Sequence, residues 1–319
     1  MRAVTFHGSL SYRSDHPDPR PADGECLIRV HLAGICGTDL HILGGHMGFR
    51  GVLGHEMVGT VAQGSPPWRG KRVVAEINCV CRQCDMCHSG LSNHCRRRTV
   101  MGIVGRDGCF ADFVAAPEAN LHAVPDAVSD EEAVFVEPLA AAYQVIAQCP
   151  IEARMNVSVV GSGRLGILVA QVLAQKGCKL TVIGRNPAKL LLCEKRGLQT
   201  IPLDEVAPRA DRDVVVECSG SPAGLDLATR LVRPRGTIVL KSTFAKSEPL
   251  NLSPIVVDEV RVLGSRCGPF QEAINALARQ AIEVRSMISR VFPLDQALPA
   301  FNAVRNPQTV KVLLRVNGR

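Results

Sequence analysis

The chain has 319 residues, of which 46% are hydrophobic and 21% are charged, and its formal net charge is +7. This composition is that of a globular protein and excludes the disordered and fibrous classes. No apolar run approaches the ~20 residues that span a bilayer, and the first twenty residues lack the apolar region of a secretory signal. Lys and Arg are spread along the chain apart from "RRR" at 96–98. We therefore expect a soluble cytoplasmic protein with neither a membrane nor a nucleic-acid partner.

The secondary-structure pattern changes twice along the chain. From residue 26 to about 125, short β-rich runs alternate with loops rich in Gly and Pro, which predicts an irregular β domain. Ser129 and Glu132 then form a capping-box pattern that predicts a helix start. After about residue 154, apolar strands alternate with glycine turns and amphipathic helices, which predicts a parallel, doubly wound sheet. We predict an α/β protein with one domain formed by residues 1–143 and 283–319 and a second formed by residues 144–282.

Four cysteines stand close together in "CRQCDMCHSGLSNHC", residues 81–95. They are Cys81, Cys84, Cys87 and Cys95. Four thiolates at such short spacings can surround one zinc ion tetrahedrally and leave no open position, which is typical of a structural site. Cys79, His88 and His94 are near enough in sequence to replace a ligand, although the regular spacing favours the four cysteines. The stretch therefore predicts one closed zinc site.

A second set of metal-binding residue types precedes this stretch. "GICGTDLHI" contains Cys36, Thr38 and His41, and "GVLGHEMVG" contains His55 and Glu56. A catalytic zinc usually has three protein ligands of mixed type and one position for water or substrate. A glycine-flanked His-Glu pair is weak evidence alone, but here it follows a cysteine and accompanies the four-cysteine cluster. These residues therefore predict an open, catalytic zinc site.

A glycine fingerprint occurs in "VVGSGRLG" after a predicted strand and at the start of a predicted helix. In this context the glycines allow a tight turn and close approach of the backbone to a pyrophosphate, while the helix N-terminus favours its charge. The pattern predicts binding of a dinucleotide by the loop. The predicted cofactor-binding residues of this loop are Gly161, Ser162, Gly163, Arg164, Leu165 and Gly166.

Six motifs in this order resemble those of the zinc-dependent medium-chain alcohol dehydrogenases. They are "CGTDLH" at 36–41, "GHE" at 54–56, the cysteine stretch at 81–95, "GRDGCFADFV" at 105–114, "VEPLAAAY" at 136–143 and the fingerprint at 161–166. The first, second and fifth forms are most similar to the polyol and threonine dehydrogenase branch. The resemblance implies a GroES-like β-rich catalytic domain and a doubly wound Rossmann coenzyme domain. It also implies a small-molecule alcohol or carbonyl substrate and a homodimer or homotetramer.

The resemblance also implies a role for each matching residue. Cys36 and His55 would bind the catalytic zinc, with Glu56 as a ligand or a close neighbour of the ligands. Glu137 stands where this branch has a ligand that exchanges with water. The zinc would make the alkoxide of the alcohol available, and hydride would pass to the nicotinamide.

Proton transfer in this family implies two further roles. Thr38 and His41 would carry the released proton. The interval from Cys36 to His55 is short for the family, so we expect an open substrate pocket.

Two alternatives to a zinc-dependent dehydrogenase belong to other classes. A metal-free reductase of enones or quinones would keep the glycine fingerprint but would not need Cys36, His55 or the four-cysteine cluster. The other alternative is a zinc-containing nucleotide-binding protein without dehydrogenase activity. A non-enzymatic zinc protein that bound nucleic acid through "HCRRRT", residues 94–99, would need neither a nucleotide fold nor the second zinc set.

Cofactor choice is indicated by "TVIGRNPAKL". NAD-specific Rossmann domains usually have Asp or Glu about 20 residues after the fingerprint, and that carboxylate repels a 2′-phosphate. Gly184 occupies this place, Arg185 follows it, and Lys189 lies one turn into the next helix. A guanidinium can bind phosphate bidentately, so we expect NADP to be favoured over NAD, with Arg185 as a cofactor-binding residue. The alternative is an exposed Arg185 in an enzyme that accepts both cofactors.

Overall fold

The structure is a computed structural model that describes residues 1–243 and 251–317. Residues 244–250 and 318–319, which fall within the two predicted domains, lie outside the described residues. The strands are β1 (Ala3–Phe6), β2 (Leu10–Arg13), β3 (Glu25–Gly34), β4 (Gly51–Val52), β5 (Glu56–Gln63), β6 (Arg72–Ala75), β7 (Asn78–Cys79), β8 (Thr99–Met101), β9 (Gly105–Arg106), β10 (Phe113–Pro117), β11 (Leu121–Ala123), β12 (Asn156–Val160), β13 (Lys179–Gly184), β14 (Gln199–Pro202), β15 (Arg212–Glu217), β16 (Val232–Leu240), β17 (Arg261–Gly264), β18 (Ile288–Pro293) and β19 (Lys311–Arg315). The helices are α1 (Gly37–Leu43), α2 (Asp85–His88), α3 (Asp130–Ala133), α4 (Val136–Gln148), α5 (Arg164–Ala174), α6 (Pro187–Glu194), α7 (Pro222–Leu231), α8 (Ser253–Val257), α9 (Phe270–Ala278) and α10 (Ala297–Val304).

The chain forms two compact units. The first contains Met1–Glu137 and Phe270–Arg319, and the second contains Pro138–Pro269. The sequence placed the boundaries after residue 143 and before residue 283. The difference at the second boundary has a packing reason, because α9 lies in the first unit, where the Phe270 ring stacks on His122 with 5.5 Å between the ring centroids.

The main sheet of the first unit has seven strands. Six of them follow the order β11-β6-β5-β3-β19-β18, and β10 pairs with β3. Strand β3 is the longest strand, and most of its residues are buried because other strands pair with it along both edges. Its register with β5 sets Gly34 opposite Glu56. The residues that follow β3 and the residues that begin β5 are therefore neighbours in space.

The two ends of the first unit's chain are joined by one polar cluster. The Arg2 guanidinium donates to Asp112 Oδ1 at 2.7 Å and to the Val316 carbonyl at 2.8 Å. Burial alone would raise the pKa of Asp112, but the hydrogen bonds from Arg2 outweigh burial and lower that pKa below its ordinary value. The ionised form of Asp112 therefore favours the folded state.

The second unit is built on a parallel sheet of six strands in the order β14-β13-β12-β15-β16-β17. Counted along the chain, this is the order 3-2-1-4-5-6 of a doubly wound dinucleotide-binding fold. The strands β12 and β15 are almost entirely buried apolar runs, as expected for a parallel sheet covered on both faces. Ligands of such folds bind beyond the carboxyl ends of the strands where the order reverses, which here is the β12–β15 boundary.

The predicted fold class is confirmed by a β-rich first unit and a doubly wound second unit. The capping box between Ser129 and Glu132 is also present, at the start of α3. None of the helices in the described ranges combines the length and the apolar character that crossing a membrane requires.

Candidate functional site

Helix α1 begins with a capping box between Cys36 and Asp39. The backbone N–H of Cys36 donates to Asp39 Oδ2 at 2.8 Å, which fixes the residue before the helix to its first turn. Thr38 and His41 are half-buried and three residues apart, so they lie on one face of the helix. The Cys36 thiol contacts Thr38 Oγ1 at 3.7 Å. The structure thus places Thr38 directly beside Cys36 and His41 one turn further along.

Cys36, His55 and Glu56 come together at the adjoining ends of β3 and β5. One possible ligand atom from each residue lies within 4.8 Å of the other two. A thiol, an imidazole and a carboxylate form the mixed donor set that a catalytic zinc uses, with a fourth position for water or substrate. The three side chains therefore fit one dication.

A buried lysine pairs with Glu56. Lys311 on β19 and Glu56 are each 1% exposed, and the lysine ammonium contacts Glu56 Oε2. Lys311 also donates to the Ile35 carbonyl at 3.2 Å and lies 5.8 Å from the centre of the Phe135 ring. A buried carboxylate without a partner would cost several kcal/mol. Glu56 is therefore the counter-ion of Lys311. It also belongs to the candidate metal-binding group, which consists of Cys36, His55 and Glu56.

His55 is held in an acidic environment. Its Nδ1 lies 3.5 Å from Oδ1 of Asp39, and both side chains are buried. Burial alone would lower the pKa of His55, but the charges of Asp39 and Cys36 outweigh burial and raise that pKa well above its ordinary value. The surroundings thus favour positive charge, which a bound dication would also supply. Asp39 is in position to fix the orientation of the imidazole ring.

Glu137 is half-buried in the first turn of α4. Among the described residues, the group of ligand atoms within 4.8 Å contains Cys36, His55 and Glu56 and does not contain Glu137. Its role as an exchangeable ligand stays a prediction.

The four cysteines of the stretch at 81–95 form a compact group. All four sulfur atoms lie within 4.8 Å of one another, and three of the separations are 3.5, 3.6 and 3.8 Å. A tetrahedron of zinc–sulfur bonds of ~2.3 Å has edges of roughly 3.8 Å. Cys79, His88 and His94 are not members of the group found among the described residues. The geometry therefore fits one zinc ion bound by the four cysteines.

Protonation of these thiols follows their local hydrogen bonds. The backbone N–H of Gln83 lowers the pKa of Cys81 to about 6, whereas burial and the bond to Cys84 raise the pKa of Cys87 to about 11. Shifts in opposite directions are expected where neighbouring sulfurs share protons. A dication would displace those protons and hold all four as thiolates.

The glycine loop has the backbone shape that its sequence predicts. Gly161 has a φ of +111°, and a Cβ at this residue would lie 2.8 Å from the backbone of Cys218. A Cβ at Gly166 would overlap the Gly161 carbonyl. Gly163 is the N-cap of α5, whose first backbone N–H groups can bind phosphate. The loop therefore fits a pyrophosphate at the start of an 11-residue helix.

The other members of the loop are Ser162, which is 6% exposed, and Arg164 and Leu165, which are half-buried in the first turn of α5. The Ser162 side chain packs against Gly184 at the end of β13.

Three basic side chains lie at the carboxyl ends of β12 and β13. Arg185 is exposed directly after β13, and Lys189 lies in the first turn of α6, where its N–H donates to the Asn186 side chain at 3.2 Å. Burial lowers the pKa of Lys189, and the charge of Arg164 lowers it further, so these two cations are close enough to repel. Among the described residues, no acidic side chain forms an ion pair with Arg164, Arg185 or Lys189.

Comparison with protein families gives two matches. Residues 22–126 match the alcohol dehydrogenase GroES-like domain, and residues 165–281 match the zinc-binding dehydrogenase domain. The chain belongs to the zinc-dependent medium-chain alcohol dehydrogenase family, and it is an oxidoreductase that uses a nicotinamide cofactor.

Individual relatives match over nearly the full chain. Sorbitol dehydrogenase of Halalkalibacterium halodurans is 29% identical and covers 98% of this chain and 99% of its own. The 2-dehydro-3-deoxy-L-galactonate 5-dehydrogenase of Pseudoalteromonas atlantica is 30% identical and covers 93% of each. Among solved structures, a Sinorhizobium meliloti zinc-binding dehydrogenase bound to NADP has a TM-score of 0.89 at 30% identity, covering 99% of each chain. An Escherichia coli alcohol dehydrogenase in complex with NADH has a TM-score of 0.89 at 27% identity, also covering 99% of each.

Sequence reasoning missed two residues of the site. Asp39 stands three residues after Cys36, so the capping-box spacing was a usable signal. Lys311 is the single charge in the apolar run "VKVLL", and a lone lysine in a buried strand requires an anionic partner. The sequence gives no signal that this partner is Glu56.

Proposed function

We propose that this dehydrogenase interconverts a polyol or related alcohol with its carbonyl compound at the site formed by Cys36, His55 and Glu56, with NADP preferred over NAD. The observation that carries the proposal is the convergence of these three donors beside Thr38. The relatives that act on sorbitol and on a deoxygalactonate support hydroxyl-rich substrates of small size.

The residues of the site have different roles in the proposed reaction. A zinc ion bound at this site would supply the Lewis acidity that favours the alkoxide form of an alcohol. Cys36 and His55 would hold the ion, and Asp39 Oδ1, which lies 3.5 Å from His55 Nδ1, would orient the imidazole ring. Thr38 Oγ1 would accept the hydroxyl proton and pass it towards His41, because histidine is the side chain whose ordinary pKa lies nearest to neutral pH. In the reverse direction the same groups would return the proton.

Glu56 has a distinct part in this proposal. Its carboxylate belongs to the group within 4.8 Å but is also paired with Lys311. We infer that Lys311 restrains Glu56 and leaves a position beside Cys36 and His55 for the substrate oxygen. Glu137 would then supply the exchangeable ligand that the family resemblance implies.

A second zinc at Cys81, Cys84, Cys87 and Cys95 would have a structural role. The sulfur separations of 3.5 to 3.8 Å support a closed tetrahedral site without a position for substrate. Binding of this ion would contribute directly to the folding free energy of the surrounding loop.

NADP preference is supported by the cations at the carboxyl ends of β12 and β13. Gly184 provides no carboxylate to repel a 2′-phosphate, and Arg185 and Lys189 provide positive charge beside it. The relative whose structure contains NADP is consistent with a preference for NADP. The relative whose structure contains NADH is consistent with the alternative preference for NAD.

The deciding experiment is a kinetic screen joined to metal analysis. Purified protein is analysed for zinc without exposure to chelators, and a panel of alcohols, polyols and sugar acids is then assayed with NADP and with NAD. We expect two zinc ions per chain and a higher kcat/KM with NADP. Activity retained in protein without zinc would overturn both metal sites, and a higher kcat/KM with NAD would overturn the cofactor preference. Nucleotide binding without turnover of any panel member would overturn the proposed substrate class.

We also infer that the protein forms a homodimer or homotetramer. Val256 and Val257 on α8 are 75% and 77% exposed, and Val262 on the edge strand β17 is 42% exposed. Exposed apolar side chains beside a strand whose outer edge pairs with no other strand of the described residues favour burial against a second copy. Light scattering on native protein and on a Val256→Lys, Val257→Lys variant tests this, and a monomeric native protein would overturn it.

A further inference from the structure

Ser162 in the glycine loop fills the space beside Gly184. A Cβ built at Gly184 would lie 2.6 Å from Ser162 Cβ and closer still to its Oγ, and it would lie 3.0 Å from the end of the Leu190 side chain. Real Cβ atoms do not approach other atoms this closely. Leu190 can move its flexible end, but Ser162 Cβ is fixed to a loop in contact with β13. Any side chain at 184 therefore requires Ser162 or the end of β13 to shift.

The position is the one where a dinucleotide-binding domain selects its cofactor. An NAD-specific domain has an acid at the end of its second strand, which here is Gly184 at the end of β13. Gly161 donates its N–H to the Ile183 carbonyl at 2.8 Å, so the loop that bears Ser162 is bound directly to the end of that strand. The Ser162 hydroxyl therefore lies beside the position that the side chain of an aspartate or glutamate at residue 184 would occupy.

We propose that Ser162 is a specificity-determining residue: it excludes an acid at 184 sterically, and its hydroxyl donates a hydrogen bond to the 2′-phosphate of NADP. This inference rests on the proposed NADP preference and adds a neutral donor to the cations at the same edge. Ser162 is 6% exposed, so its hydroxyl faces a restricted space rather than bulk solvent. A phosphate needs several donors, and a buried hydroxyl complements the charges of Arg164, Arg185 and Lys189.

The first arm of the test measures the hydrogen bond. Dissociation constants of NADP, NAD and adenosine 2′,5′-bisphosphate are measured calorimetrically for native protein and for Ser162→Ala. We expect Ser162→Ala to weaken NADP and the bisphosphate about tenfold or more, as expected for one hydrogen bond to a charged acceptor, and to change NAD about twofold at most. Equal weakening of NADP and NAD, or no weakening of either, would overturn the hydroxyl's role. Ser286→Ala, an exposed serine of the other unit, is the matched control.

The second arm measures the steric exclusion. Gly184→Asp alone should lower the melting temperature and improve binding of neither cofactor, because the new Cβ overlaps Ser162. Ser162→Gly with Gly184→Asp should recover the melting temperature and move the preference towards NAD. A Gly184→Asp protein that melts like the native protein and prefers NAD would overturn the exclusion. The geometry thus adds Ser162→Gly to the substitutions that a change of preference towards NAD requires.

An Arg185→Gln variant separates this inference from the proposed function. If native protein binds NADP no better than NAD and Arg185→Gln changes nothing, the NADP preference itself fails. If Arg185→Gln weakens NADP but Ser162→Ala does not, the preference stands and the hydroxyl's role fails.

Discussion

Replacing Lys311 by Met tests the buried ion pair behind the metal-binding group. Methionine keeps a long apolar stem beside Phe135 but removes the charge that faces Glu56. Both partners are 1% exposed, so the remaining carboxylate would be left unpaired in the interior. Removing one partner of a buried pair usually costs about 3–5 kcal/mol of unfolding free energy. We expect a loss of that size in protein treated with a chelator.

A double-mutant cycle separates the charge effect from packing. Glu56→Gln with Lys311→Met removes both charges, so we expect its stability to lie within about 1–2 kcal/mol of native protein. Urea denaturation followed by circular dichroism provides all four values. Arg230→Met is the control, because its pair with Asp226 is exposed and should contribute under about 1 kcal/mol.

The same four proteins can also be compared for the increase in unfolding free energy that added zinc produces. A dication beside Cys36 and His55 would compensate the carboxylate that Lys311→Met leaves unpaired, so zinc should stabilise that variant more than native protein. The reasoning is refuted if Lys311→Met costs less than about 1 kcal/mol, or if the double variant is as unstable as Lys311→Met alone.

Three further predictions concern the other parts of the molecule. Cys84→Ser should lose one zinc ion per chain and unfold at lower urea, whereas Cys178→Ser, outside both metal-binding groups, should retain both ions; equal zinc contents by atomic emission would contradict this. His41→Ala should lower kcat about 10²-fold with zinc content unchanged, and loss of zinc from this variant would make His41 a ligand instead. Because the folded-state pKa of Asp112 is depressed, its stabilisation is present above the ordinary carboxyl value of 3.8 and is lost as pH falls below it. Asp112→Asn should therefore flatten the acid limb of the stability curve, and an unchanged limb would show that Asp112 is not responsible.

The parts that could be predicted from sequence depend on local spacing. The strand and helix alternation after residue 154, the glycine loop and the compact four-cysteine group are all set by neighbours along the chain. The convergence of Cys36 with His55 was expected from the family resemblance, and the register of Gly34 opposite Glu56 gives its physical basis. The ion pair between Glu56 and Lys311 joins residues far apart in the chain, and spacing carries no information about such pairs.

Two further features depend on packing and could not be predicted from single residues of the sequence. Gly184 indicated a missing carboxylate, but its sequence context did not reveal that Ser162 fills the same space. The sequence likewise placed the second boundary before residue 283, whereas α9 lies in the first unit. The stacking of Phe270 on His122 assigns that helix to the first unit.

The position of β19 between β3 and β18 determines when the metal-binding group can form during synthesis. The second unit is one continuous segment, Pro138–Pro269, and can fold as soon as it leaves the ribosome. The end of β3 can pair with β19, and Glu56 can pair with Lys311, only after nearly the whole chain has been made. The nascent chain therefore acquires its nucleotide-binding unit while Cys36 and His55 still lack their final surroundings. Zinc that arrives during translation would meet an incomplete site, so we expect any metal loading at Cys36 and His55 to follow completion of the chain.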